Sequence, residues 1–272
     1  MPSGLAHRPM TLIVTRPARE AGEWVAALQA RGIAARALPL IDIAPPADKA
    51  PLQAAWQRLV HYRAAMFVSA NAADQFCAAR PGDQAAWPAD TRAWAPGPGT
   101  AQALRAAGVP ADRIDSPPAD AAQFDSESLW QVTAGQARTG DRVLVVRGSD
   151  TESSAASATG RGNGREWLAQ QLASAGAAVD FVVAYQRRAP DAARFDAAAV
   201  RAAVQAGDVW LFSSSAAVAN LCALLPDQDW HTAPALATHP RIGEAATRAG
   251  FAPVVLSRPA LDDVVRSLQT WP

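Results

Sequence analysis

Lysine is almost missing from this chain. Lys49 is the single lysine among 25 basic residues, and it lies in the Pro-rich stretch Ala44 to Pro51, which reads as an exposed loop. Schiff-base chemistry, pyridoxal phosphate enzymes included, is therefore all but excluded, because it needs a lysine desolvated in a pocket. Cysteine is nearly as scarce. Cys77 and Cys222 are too few for a disulfide framework or a cysteine zinc site, and they fit a reducing cytoplasm. His7, His61, His231 and His239 lack metal-ligand spacing with cysteine or carboxylate partners, so no metal is expected. No run of about 18 apolar residues occurs, and Met1 to Met10 lacks the apolar core of a signal peptide. A soluble protein with no membrane partner, staying where it is made, is the expectation. Acidic and basic residues both number 25, which leaves no excess positive charge for nucleic acid. There is no GxSxG elbow, no Walker loop and no HExxH. Gly97-Pro98-Gly99 starts like a dinucleotide fingerprint, but Gln102 stands where the third glycine belongs, so no cofactor is expected.

What is present describes an ordinary globular protein. Half of the 272 residues are hydrophobic and 18% are charged, and the length suggests two domains. The other 24 basic residues are arginines, whose planar forks suit bidentate recognition of carboxylate or phosphate. A GC-rich genome would produce the same bias, together with the abundant alanine.

The chain repeats itself. Thr11 to Thr15 is a short β-branched run followed by Arg16-Pro17, an amphipathic stretch through Trp24, Val25 and Leu28, and a stop at Gly32. Val143 to Val146 leads in the same way through Arg147-Gly148 and Glu166-Trp167-Leu168 to Gly176. Met66-Phe67-Val68-Ser69 precedes Ala72 to Cys77 as Leu211-Phe212-Ser213-Ser214 precedes Ala217 to Cys222, with each cysteine eight residues after its matched serine. Gly97 to Gly108 pairs with His239 to Gly250. Strands alternating with helices in two similar halves predict parallel sheets covered by helices on both faces. Ser149 to Gly164, rich in Ser, Ala, Thr and Gly, reads as a flexible insertion.

Small polar residues gather at the predicted strand ends and helix starts: Thr15, Ser69, Asn71, Thr100, Ser213, Ser214 and Ser215. In a parallel sheet this edge faces the ligand crevice, and helix N-termini offer free N–H groups to anions. Helix capping is the simpler explanation of any one of them, while their recurrence at matched places in both halves favours a ligand that bridges two lobes and carries several negative groups. Asp125-Ser126-Glu127-Ser128 reads as a capped helix start. Tyr185 lies where the apolar strand Val179 to Ala184 meets the basic turn Gln186-Arg187-Arg188. A phenol is protonated at neutral pH and can give a proton to a departing oxygen.

Leu12-Ile13-Val14-Thr15-Arg16-Pro17, Phe67-Val68-Ser69-Ala70-Asn71-Ala72, Gly99-Thr100-Ala101, Ser126-Glu127-Ser128-Leu129, Arg147-Gly148, Gly164-Arg165-Glu166, Val183-Ala184-Tyr185-Gln186-Arg187 and His239-Pro240-Arg241-Ile242 together resemble the uroporphyrinogen-III synthase family. The likeness runs from Met10 to Leu268. Each motif is loose; their common order is specific. The resemblance implies an α/β fold of two flavodoxin-like lobes with parallel sheets, joined by a two-stranded ladder, with the active site in the cleft between lobes. Residues 1–40 and 188–272 would form one lobe and 41–187 the other, with crossings near Ile41 to Ala44 and Ala184 to Arg187. Spacing alone suggests tandem halves.

The implied reaction converts hydroxymethylbilane, a linear tetrapyrrole with acetate and propionate arms, into uroporphyrinogen III with loss of water and inversion of ring D. It needs no cofactor or metal. By likeness Tyr185 assists departure of the hydroxyl. Thr15, Arg16, Ser69, Asn71, Thr100, Arg147, Arg165, Ser213, Ser214 and Arg241 would bind substrate; the family often has a threonine where this chain reads Arg241-Ile242, and Arg241 would substitute by pairing with a carboxylate. A cytoplasmic monomer in transient contact with the preceding pathway enzyme is the expected state. The rival reading is a non-catalytic bilobal binding or regulatory module for an acidic small molecule. A regulator should carry a further DNA-binding or signalling domain, for which two lobes leave no room.

Overall fold

The computed structural model describes residues 10–82, 86–118, 120–121, 123–150 and 163–271, without the side chains of Asp150 and residues 163–166. Along the chain the elements are β1 (Leu12–Val14), α1 (Ala18–Gln29), β2 (Ala35–Ala37), β3 (Asp42–Ala44), α2 (Ala50–Gln57), β4 (Ala64–Phe67), α3 (Ala70–Ala78), β5 (Arg92–Trp94) and α4 (Pro98–Ala106). There follow β6 (Ile114–Asp115), α5 (Ser126–Thr133), β7 (Arg142–Asp150), α6 (Asn163–Ser174), β8 (Ala178–Arg188) and α7 (Ala197–Gln205). The chain ends with β9 (Val209–Phe212), α8 (Ser215–Leu224), β10 (Ala235–Ala237), α9 (Pro240–Arg248), β11 (Val254–Leu256) and α10 (Leu261–Gln269).

Two compact units result, one made of the chain up to Asp42 and from Arg188 onward, the other of Ile43–Arg187. The first holds a five-stranded sheet in the order β11-β10-β9-β1-β2, with every neighbouring pair parallel. Counted along its own strands this is the 2-1-3-4-5 order of flavodoxin-like folds. The second holds a six-stranded sheet, β3-β8-β7-β4-β5-β6, parallel from β8 to β6. With β3 set aside, β8-β7-β4-β5-β6 matches β2-β1-β9-β10-β11 place for place. Its strands reach the flavodoxin-like order only when counted from β7, as a circular permutation.

The blocks that repeat in the sequence are therefore equivalent in space, β1 with β7, β4 with β9 and β5 with β10, but the two halves of the chain are not the two units. Each unit joins strands from both halves. The helix stops recur too: Gly32 and Gly176 have φ of 75° and 81°, a left-handed conformation that only glycine adopts cheaply.

Both faces of the strands are covered, which is why they read as continuous apolar runs. In β4, Ala65 and Phe67 pack toward α2, α3 and α4 with Trp56, Phe76 and Leu104, while Ala64 and Met66 pack toward α5 and α6 with Leu129, Leu168 and Leu172. In β1, Leu12 and Val14 face Leu28 of α1 and Val264 of α10. Trp210 and Phe212 of β9 join Trp230 and Phe251 in an aromatic cluster.

One expectation needs correction. Gln186-Arg187-Arg188 is no turn: β8 continues to Arg188, because β7 itself runs on to Asp150 and pairs Ser149 with Gln186 and Asp150 with Arg187. Lys49 is exposed in the loop between β3 and α2, as expected, and directly precedes the helix whose first turn contains Pro51. The proposed flexible insertion, Ser149 to Gly164, falls mostly on residues 151–162, outside the described residues.

Candidate active site

In the second unit β4 ends at Phe67, while β7 and β8 run on beyond that level to Asp150 and Arg188. Phe67 pairs with Val146, and Gly148 with Tyr185, after a register shift that leaves Ala184 as an additional residue on β8. Regular alternation would put Tyr185 on the opposite face from Val182 and Ala184. The bulge instead turns all three into one cluster, and Tyr185 is only 1% exposed. Its ring lies against Gly148, where a Cβ would come within 2.4 Å of the phenol carbon. The Tyr185 hydroxyl accepts a hydrogen bond from an Arg187 Nη at 3.1 Å and lies 3.3 Å from Ser69 Oγ.

Ser69 is half-buried at the start of α3, where its side chain accepts from the Ala72 N–H and so caps the helix. Asn71 is half-buried in the first turn of the same helix, and Thr100 is buried in the first turn of α4. Arg147, at the end of the regular part of β7, lies over the Phe181 ring at 5.2 Å, and its Nε is buried without an acceptor. The Arg165 side chain lies outside the described residues.

The first unit repeats this edge. Arg16 follows β1 as Arg147 ends the regular part of β7, and it too lies over an aromatic ring, Trp24, at 4.1 Å, with a buried Nε that has no acceptor. Burial pushes the Arg16 guanidinium below its ordinary value, and Glu20 at 3.5 Å opposes that shift. Ser214 caps α8 through the Ala216 N–H as Ser69 caps α3. Beside it the Ser213 Oγ is buried with no hydrogen-bond partner. Thr15 is committed to the fold, since its hydroxyl donates to the Leu211 carbonyl at 2.7 Å across β1 and β9. His239 caps α9 through its Nδ1, so Ile242 occupies the place of Thr100, and the neighbouring Arg241 is exposed.

Sequence reasoning missed Gly148 and Arg187 as members of this arrangement. The signal was present in the matched Arg16-Pro17 and Arg147-Gly148, but the bulge that gives Gly148 its role has no sequence mark. The cavity at the far end of α3, about 500 Å³ and lined by Asp74, Cys77 and Arg80, is remote from Ser69. Burial pushes the Cys77 thiol up to about 11, so it is inert at neutral pH. Among the described residues no group of three His, Cys, Asp or Glu side chains is placed to hold a metal ion. Nor is any helix there long and apolar enough to cross a membrane.

The family model described as Uroporphyrinogen-III synthase HemD matches residues 22–266. A uroporphyrinogen-III synthase from Synechococcus elongatus is 33% identical over 234 residues, covering 83% of this chain and 81% of that protein. The chain belongs to the uroporphyrinogen-III synthase family. Its fold agrees with a solved member, the uroporphyrinogen-III synthetase of Helicobacter pylori 26695, at a TM-score of 0.53 and 11% identity, covering 97% of this chain and 100% of that one. A solved mutant synthase from Thermus thermophilus is similar at a TM-score of 0.48 and 16% identity, covering 96% and 98% of the two chains. Within this chain, the register of α9 puts the apolar Ile242 where the second unit has Thr100.

Proposed function

We propose that this protein cyclises hydroxymethylbilane to uroporphyrinogen III, a lyase reaction that removes water and inverts ring D, in haem biosynthesis. The observation that supports it beyond family membership is the doubled strand edge. Arg16 and Ser214 in one unit, and Arg147 and Ser69 in the other, occupy equivalent places, and both arginines hold a buried Nε with no acceptor. Guanidinium and hydroxyl groups repeated at two matched strand edges suit a ligand carrying several carboxylates.

The unaided bilane also closes, to the uninverted isomer, so the protein must govern geometry more than acidity. Loss of the ring A hydroxyl gives an azafulvenium cation, ring D attacks through its substituted carbon, and the spiro intermediate breaks and recloses inverted. Arms held by fixed N–H, hydroxyl and guanidinium groups restrict which carbon can attack, and such positioning can lower a barrier by several kcal/mol. Thr100, Asn71, Arg165, Ser213 and Arg241 complete the proposed binding set, with no cofactor. The same reading carries a cytoplasmic monomer that receives the bilane through transient contact with the preceding enzyme.

Incubating the purified protein, treated with chelator and dialysed, with freshly generated bilane tests the assignment. The type III isomer should dominate, whereas buffer alone yields type I. A non-catalytic binding module would leave the isomer ratio at that of buffer.

A further inference from the structure

We infer that Arg187, Tyr185 and Ser69 form a directed proton relay, and that Ser69, not Tyr185, delivers the proton to the departing hydroxyl. The inference rests on the synthase reading above and adds the route of its proton.

The direction follows from the donors and acceptors present. The Arg187 guanidinium only donates, and it occupies one lone pair of the Tyr185 oxygen. Arg187 also lies 5.5 Å from the Tyr185 ring centroid. The phenol proton then needs an acceptor, and the neighbour within reach is Ser69 Oγ at 3.3 Å. Were Ser69 the donor instead, the Tyr185 O–H would be left without an acceptor in a residue only 1% exposed, which is the costlier arrangement. Ser69 Oγ thus accepts twice, from Tyr185 and from the Ala72 N–H, and both its lone pairs are used. Its own O–H is the one donor of the relay left over. Ser69 is half-buried at the end of β4, on the edge of the sheet where ligands bind.

In the step, the Ser69 proton passes to the hydroxyl oxygen of ring A as the C–O bond breaks, releasing water and the azafulvenium cation. The Tyr185 proton moves to Ser69 Oγ, leaving a phenolate beside the Arg187 cation. When the inverted ring D regains its aromaticity it loses a proton, which returns to Tyr185 through Ser69. Nothing is consumed besides the bilane. Tyr185 and Arg187 are positioning residues in this scheme, while Ser69 touches the reacting oxygen.

The test is a double-mutant cycle on type III formation with Tyr185→Phe and Ser69→Gly, since glycine caps a helix nearly as well as serine. Each single variant should slow the reaction by the ~10²–10⁴-fold typical of general acid help, and the double variant should be no slower than the slower single. Ser69→Thr should restore much of the rate. Factors that multiply in the double variant overturn the relay. A readout independent of turnover is the Raman Fermi doublet of tyrosine in a Tyr62→Phe background, where Tyr185 is the only tyrosine. It should report a donating phenol that loses this character in Ser69→Gly. A phenol that reads as acceptor alone overturns the direction of the relay even if the wild type makes no type III product, an outcome that would itself overturn the function.

Discussion

Gly148 and Tyr185 face each other across β7 and β8, and a single added methyl on Gly148 would lie 2.4 Å from the phenol ring. The neighbouring ring is fully buried, so it cannot swing aside. Gly148→Ala should therefore cost about 1–3 kcal/mol in urea unfolding, the usual penalty for overpacking, and should slow type III formation by moving the Tyr185 hydroxyl away from Ser69. Unaltered stability would show that β8 shifts freely.

The equivalent arginines provide the next expectation. Arg16→Met and Arg147→Met keep most of the packing on Trp24 and Phe181 while removing the guanidinium. If each holds one carboxylate, KM for the bilane should rise roughly 10- to 100-fold, corresponding to about 1.5–3 kcal/mol for a charged hydrogen bond. The rate at saturation should fall less. An unchanged KM in both variants would return these residues to a packing role.

Ser213 offers a case in which stability and activity should separate. Its Oγ is buried without a partner, so Ser213→Ala removes a desolvated hydroxyl and breaks no hydrogen bond. The melting temperature should hold or rise, while KM increases if substrate supplies the missing partner. A destabilised variant would mean that the hydroxyl is satisfied within the fold.

At the other end of the second sheet, Asp180 accepts from Tyr62 and from Arg142. Burial works against its charge, but these bonds win and hold the carboxyl below its ordinary value. The folded pKa then lies under the unfolded one, near 4, so the contribution is present above that pH and lost as pH falls through the folded value. Tyr62 is shifted the opposite way, raised by burial and by Asp180, so its share is lost as pH rises past about 10. Asp180→Asn should be less stable than wild type at pH 7, and the difference should shrink toward pH 2 in denaturant titrations. A difference independent of pH would remove the charge from the explanation.

Much of the fold was legible because the physics that sets it is local. Buried parallel strands must be apolar on both faces, as Ile13 and Phe212 are, and a helix that ends in a left-handed residue marks its stop with glycine at 32 and 176. Ser69 and Ser214 could be placed at strand ends because capping favours serine there. Nothing local announces the bulge at Ala184, which depends on how β7 and β8 pair, so the basic residues after Tyr185 read as a turn. The commitment of Thr15 to the Leu211 carbonyl was equally hidden, since the two lie 196 positions apart. The blocks of the repeat were visible, whereas their exchange between units is a property of pairing over long distances.

That exchange sets the order in which the protein can be built. Ile43–Arg187 is continuous, so every strand from β4 to β8 has been synthesised before β9 emerges. β1, made first, finds β2 soon afterwards but must wait for its other neighbour: the Thr11 N–H meets the Asp208 carboxylate across 197 positions. At about 5–20 residues per second on the ribosome, this is a delay of tens of seconds, during which Leu12, Ile13 and Val14 lack β9. The unit begun first can thus be completed last, and a chain released just short of Val209 would carry a whole second unit and a first strand with one apolar edge unpaired.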